Sequence, residues 1–140
     1  MPTVFSRIID GELPARFVWR DDTVVAFLSA GPIVSGHTLV VPRAEVDQWT
    51  DASPELWAEV TRVAHLVGAA QKQAWDAPRA GLVVAGFEVP HLHVHVMPAW
   101  DMAALDFARA DTDPDPAALD ADAERLRAAL RDRGHGAYVP

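Results

Sequence analysis

A chain of 140 residues with net charge −8 and no cysteine excludes disulfides, thiolate metal sites and a cysteine nucleophile. The length fits one domain able to bury its own core. The acid, much of it between Asp101 and Asp122, argues against general affinity for nucleic-acid backbone but leaves a small phosphorylated ligand open. No apolar run approaches the ~18 residues that a membrane span needs, and the first residues lack the basic-then-apolar pattern of a secretory signal. The expected compartment is therefore the cytoplasm, with neither membrane nor nucleic acid as a partner.

In chain order, Phe5 to Ile9 reads as a short helix or turn closed by Asp10-Gly11. Phe17–Arg20 and Thr23–Leu28 read as two strands of a hairpin across Asp21-Asp22. After the breaks at Gly31-Pro32 and Ser35-Gly36, His37–Val41 forms a third strand, stopped by Pro42. Ser53 then caps a long helix with Pro54 at its first position and Glu55 near its positive end. Leu56, Val60, Val63, Val67 and Ala70 give that helix one apolar stripe, and it ends before Pro78. Gly81–Ala85 is the fourth strand, Gly86–Pro90 a turn or bulge, and His91–Met97 the last strand, closed by Pro98. A proline-and-acid linker at 111–116 leads to a second helix over Ala117–Arg133, with Leu119, Leu126 and Leu130 along one side. The fold class expected is α+β: an antiparallel sheet of about five strands, one long helix and a C-terminal helical tail. Residues 1–110 are expected to form the main body and 111–140 a linker and tail of the same single domain.

The run His91-Leu92-His93-Val94-His95-Val96-Met97 carries the functional signal. With a period of two along a strand, the three imidazoles share one face while Leu92, Val94 and Val96 share the other. Three readings fit: nucleophilic or acid–base catalysis on phosphorus, zinc binding, and a merely solvated strand face. The outer two histidines stand about 13 Å apart along an extended strand, which disfavours one ion shared by all three. Strict alternation inside an otherwise apolar run disfavours the solvated face. His37, after the Ser35-Gly36 turn, opens a strand where it can stand beside this cluster. His65, within the long helix, has a surface or packing role, and His135 in the glycine-flanked tail has none assigned.

With these residues, the chain resembles the histidine triad (HIT) family over roughly Phe5 to Pro98. Phe5-Ser6-Arg7-Ile8-Ile9-Asp10-Gly11-Glu12-Leu13-Pro14-Ala15 resembles the family's opening segment, Gly36–Arg43 its central strand, and Pro90–Pro98 its signature. The resemblance implies a compact α+β domain, usually a homodimer, that binds nucleotides or related phosphate compounds. It further implies metal-independent, cofactor-free hydrolysis or transfer of a nucleotidyl group from a phosphoanhydride or phosphoramidate. By motif position His93 is the nucleophile on the α-phosphorus and forms a nucleotidyl-histidine. His95 donates to the phosphate or leaving group, and His91 and His37 orient and tune His93. Phe5, Ile8 and Phe27 match the slot that holds the base in nucleotide-binding relatives, ordinary core packing being the other reading.

The chain departs from the family around the ligand. Ser29 stands where an aspartate usually holds the ribose hydroxyls. Gly86-Phe87-Glu88-Val89-Pro90 replaces a Gly-Gln followed by a small polar residue, and Arg79-Ala80-Gly81 occupies the region of a familiar asparagine. Glu88 either pairs with Arg43 or Arg79 or holds a ligand hydroxyl or amine, and Phe87 either closes the core or reshapes the cradle. Trp100-Asp101 lines the pocket mouth or a subunit contact. The reacting histidines are intact and the cradle is altered, which implies an unusual substrate or, as the alternative, a non-catalytic binding module for a phosphorylated metabolite.

Overall fold

The computed structural model describes residues 2–140. Thr3 caps α1 (Val4–Ile9) by accepting a hydrogen bond from Ser6 N–H. Strands β1 (Phe17–Arg20), β2 (Val24–Leu28) and β3 (Thr38–Pro42) follow, then the long helix α2 (Pro54–Trp75). Strands β4 (Arg79–Val83) and β5 (Val94–Ala99) complete the sheet, and α3 (Pro116–Asp132) packs beyond it. The five strands are ordered β1-β2-β3-β5-β4, every neighbouring pair antiparallel.

Register assigns the two faces of the sheet. Val24, Ala26, Leu28, Val40, Val94 and Val96 point into one core with Val60, Val63 and Val67 of α2 and Leu119, Leu126 and Leu130 of α3. Full burial of a valine or leucine there contributes about 1.5–3 kcal/mol, so the C-terminal helix is joined to the sheet by the same core as α2. Val25, Phe27, Leu39 and Val41 face the other way and pack under Phe5 and Ile8 of α1. His95 lies opposite Leu39 in the β3–β5 ladder and so belongs to this second face, away from α2.

Helix α2 begins as its sequence dictates, with the Ser53 hydroxyl accepting from Leu56 N–H at 3.1 Å. It ends at Asp76, whose left-handed φ of 48° turns the chain into β4. Gly36 also needs its positive φ, 86°, and a Cβ there would meet the Trp75 ring at 2.8 Å. Among the described residues no helix is long and apolar enough to cross a membrane.

Several strand limits differ from the sequence reading, and the pairing partners set them: β2 starts at Val24 rather than Thr23, and β3 runs Thr38–Pro42 rather than His37–Val41, Pro42 not stopping it but pairing opposite Val24. The last strand starts at Val94 rather than His91, because Leu92 N–H bonds to the Val46 carbonyl at 2.7 Å instead of to a strand. It also runs through Pro98 to Ala99. β3 begins at Thr38, opposite Val96, so beyond Val96 β5 is paired only with β4, and a residue without N–H is tolerated. The fourth strand spans Arg79–Val83 instead of Gly81–Ala85, since its ladder runs from Arg79↔Ala99 to Val83↔His95.

Candidate active site

Four imidazoles gather along β3 and the start of β5, His37 just before β3 and His91 and His93 just before β5, so that only His95 lies within a strand. His37 and His91 are fully buried, and His93 is 6 % exposed. The hydrogen bonds assign a hydrogen to each ring. Ile33 N–H donates to His37 Nδ1 at 3.1 Å, so His37 carries its hydrogen on Nε2 and donates it to His95 Nδ1 at 2.9 Å. His95 Nδ1 is thereby an acceptor, and its Nε2 carries the hydrogen.

His91 is fixed in the same way. Its Nε2 lies 2.7 Å from the Pro42 carbonyl, which only accepts, so the ring donates there. Its Nδ1 then accepts from the Thr3 hydroxyl at 2.6 Å. The carbonyl of His91 accepts from His93 Nδ1 at 2.7 Å. That bond leaves His93 Nε2 with its lone pair as the ring atom available to a ligand. Phe5 holds the His93 ring edge-on at 5.0 Å, and His93 and His95 stand 5.1 Å apart between ring centroids.

Burial favours the neutral form of His37, His91 and His95. The His37 ring is pushed down to about 4 by its desolvation. His95 is pushed down to about 3 by burial first, and then by the positive charge that His37 or His93 would carry. His91 is lowered by burial, opposed in part by its bond to the Pro42 carbonyl and by Glu45. A neutral His95 that donates from Nε2 suits a group meeting a phosphoryl oxygen or a departing atom.

A cleft of about 450 Å³ opens onto these groups, lined by Ser29, Gly31, His37, the 85–88 loop, His93, His95, Phe107 and Ala110. Of the residues expected to bind substrate, Ser29 and Glu88 line it. Phe5, Ile8 and Phe27 lie instead in the apolar cluster behind His93, where Phe5 and Phe27 are 7 % and 3 % exposed. Phe87 does not close the core: it is 97 % exposed, because the turn at Gly86 (φ 82°) carries it outward onto the cleft rim. Glu88 forms no ion pair among the described residues. Arg43 gives its Nε–H to the Asp21 carbonyl instead, and Arg79 is exposed on edge strand β4. Trp100 is half-exposed and lies outside the cleft, while Asp101 caps the next turn by accepting from Ala103 N–H. His65 is exposed on α2, and the His135 ring lies 5.7 Å from that of Trp19.

Sequence reasoning missed three supporting residues. Thr3 was readable as a helix cap but not as the donor to His91. Gln71 occupies an apolar-stripe position four residues after Val67, and its Nε2 donates to both the Gly36 and Val96 carbonyls at 2.9 Å. It thus ties the residue before His37 to the residue after His95. Phe107, edge-on to His95 at 4.7 Å, had no local signal, since its place depends on a turn that folds back across the sheet.

Comparison with known proteins agrees with this geometry. An uncharacterized HIT-like protein of Methanocaldococcus jannaschii is 36 % identical over 104 residues, covering 70 % of this chain and 79 % of that one. The crystal structure of a zinc-bound histidine triad family protein from Mycobacterium smegmatis superposes with TM-score 0.81 at 28 % identity, covering 95 % of this chain and 96 % of that one. That of a hypothetical histidine triad nucleotide-binding protein from Sulfolobus tokodaii gives TM-score 0.77 at 27 % identity, covering 91 % of each chain. The HIT domain model matches residues 10–102, which include His37, His91, His93 and His95, and the chain belongs to the HIT domain family.

Proposed function

We propose that this protein is a nucleotidyl hydrolase or transferase that uses His93 as nucleophile on a phosphoanhydride or phosphoramidate. The observation that carries the reading is the hydrogen on His93 Nδ1, held by the His91 carbonyl at 2.7 Å. It commits the lone pair to Nε2, beside a cleft that His93 and His95 both line. In the first step that lone pair forms a bond to the α-phosphorus. The bond to the leaving group breaks with its electron pair, and the departing atom takes a proton from solvent. His95 Nε2–H hydrogen-bonds the phosphoryl oxygen or the departing atom. The nucleotidylated ring is cationic, and the His91 carbonyl faces its remaining N–H. Water then attacks phosphorus, the N–P bond breaks back to neutral His93, and the proton returns to solvent.

A nucleotide-like ligand is further supported by the resemblance to the S. tokodaii nucleotide-binding protein. The M. smegmatis relative is zinc-bound. This chain has no cysteine, and among the described residues no three His, Cys, Asp or Glu side chains gather as a metal site, so the residues present do not fit a resident zinc. We also propose a homodimer through the free edge of β4. There Leu82 is 52 % exposed beside a groove lined by the small residues Ala64, Gly68 and Ala69 of α2.

A second reading, a binding module without turnover, is favoured by Ser29 and Glu88 in the lining of the cleft. Intact-mass spectrometry decides between them, after brief incubation with adenosine phosphoramidate, a diadenosine polyphosphate or a nucleoside diphosphate sugar. A nucleotidyl adduct on the wild type that is absent from His93→Ala is the expected result. Ligand binding with neither adduct nor product from any compound overturns the enzyme reading in favour of the binding module.

A further inference from the structure

The cleft holds features that phosphoryl chemistry does not use. Glu88 lines it without an ion-pair partner among the described residues. None of its lining residues is lysine or arginine. Two phenylalanines line it as well: Phe87, 97 % exposed at the rim, and Phe107, 42 % exposed and edge-on to His95. Burial keeps His37 and His95 uncharged, so these two rings do not neutralise an anion.

A polyphosphate leaving group brings two or more negative charges to such a site. It meets a carboxylate and no cationic side chain there, so the interaction is repulsive. A leaving group bearing an ammonium meets the opposite situation. A carboxylate with exposed aromatic faces is the arrangement that recognises organic cations, through charge pairing and the negative potential of the rings.

Resting on the reading of His93 as nucleophile, we propose that the preferred substrate is a nucleoside phosphoramidate whose departing amine carries a second, positively charged amino group. Glu88 and the Phe87 and Phe107 rings receive that group. The bond changes are those already given. His93 Nε2 forms the N–P bond, and the P–N bond to the amine breaks with its pair on nitrogen, which takes a proton from solvent. Water later cleaves the N–P bond and returns that proton. The second ammonium takes no part in bond breaking; it positions the departing amine.

The test uses three adenosine 5′-phosphoramidates with leaving amines of matched length: 1,4-diaminobutane, n-butylamine and 4-aminobutyrate. The expected order of kcat/KM is cationic, neutral, anionic. The cationic compound exceeds the neutral one by about tenfold, as one partly solvated ion pair with a cation–π contact provides. In Glu88→Gln the ratio of cationic to neutral falls to within about threefold, and Phe87→Ala lowers it partway. Both side chains are exposed, so neither variant threatens the fold. Equal rates for the three compounds in the wild type, or an unchanged ratio in Glu88→Gln, overturn the proposal. Calorimetric binding of the same three compounds to His93→Ala reads the charge order without turnover. Charge-ordered affinity with no cleavage by the wild type upholds the cation site and overturns the nucleophile reading. Charge-blind affinity together with cleavage does the reverse.

Discussion

Replacing Thr3 with valine tests whether the N-terminal segment holds the first histidine of the cluster. Valine keeps the shape of threonine and removes only the hydroxyl. That hydroxyl accepts from Ser6 N–H at 3.1 Å as the cap of α1 and donates to His91 Nδ1 at 2.6 Å. Loss of a helix cap costs about 1 kcal/mol. Leaving the buried Nδ1 acceptor without a donor costs a further ~1–3 kcal/mol. The sum, about 3 kcal/mol, lowers the melting temperature of a domain this size by roughly 10 °C. Thr3→Ser restores the hydroxyl and recovers most of it. Urea titration of both variants reads the stability, and long-range ¹⁵N–¹H spectra read the His91 ring, which in the wild type carries its hydrogen on Nε2 alone. A purely structural cap would cost stability without moving the ring spectrum. If Thr3→Val melts with the wild type, or destabilises without shifting the His91 Nδ1 resonance, the proposed hydrogen-bond chain is wrong.

Two further outcomes follow from the same geometry. Unfolded His37 and His95 take protons near the ordinary histidine value, while the folded rings resist them down to about 4 and about 3; the unfolded state therefore binds more protons as pH falls, and stability is fully present above neutrality and lost on acidification. Each of the two rings contributes about 2 kcal/mol of that loss between pH 7 and pH 5, above the carboxylate range. Urea midpoints that do not move over that interval contradict it. In the proposed dimer, Leu82→Glu puts like charges across the paired β4 edges and yields monomer by light scattering, and a variant that remains dimeric refutes that interface.

The parts of this fold legible in the sequence are those set by local periodicity. The alternation around His93 announced a histidine face, and the Ser53 cap with the Val60–Val63–Val67 stripe announced α2, because each signal lies within a few residues. Strand limits were misjudged because they depend on where the partner ends. Pro98 reads as a stop, yet it sits inside β5 where β3 no longer pairs. The bonds that organise the site are longer in range still: Thr3 to His91 spans 88 residues and His37 to His95 spans 58. Phe87, in contrast, left core closure and a reshaped cradle equally open by type, and only the outward turn at Gly86 decides for exposure.

The two halves of the site differ in what a substitution costs. His37, His91 and His93 are buried, and each is held by a backbone carbonyl or amide through Ile33, Pro42 or His91 itself. Changing any of them leaves a buried polar group unpaired and costs about 1–3 kcal/mol of stability along with the chemistry, less than the margin of a typical domain. Phe87 and Glu88 are exposed, and replacing either leaves no buried group without a partner. Surface changes of that kind usually alter stability by less than about 0.5 kcal/mol. Ligand preference can therefore shift through the 86–90 loop while the imidazole frame stays fixed. An intact histidine cluster beside an altered cradle is what such an asymmetry produces, and under the proposed cation preference Glu88, rather than any histidine, is the residue expected to distinguish one leaving group from another.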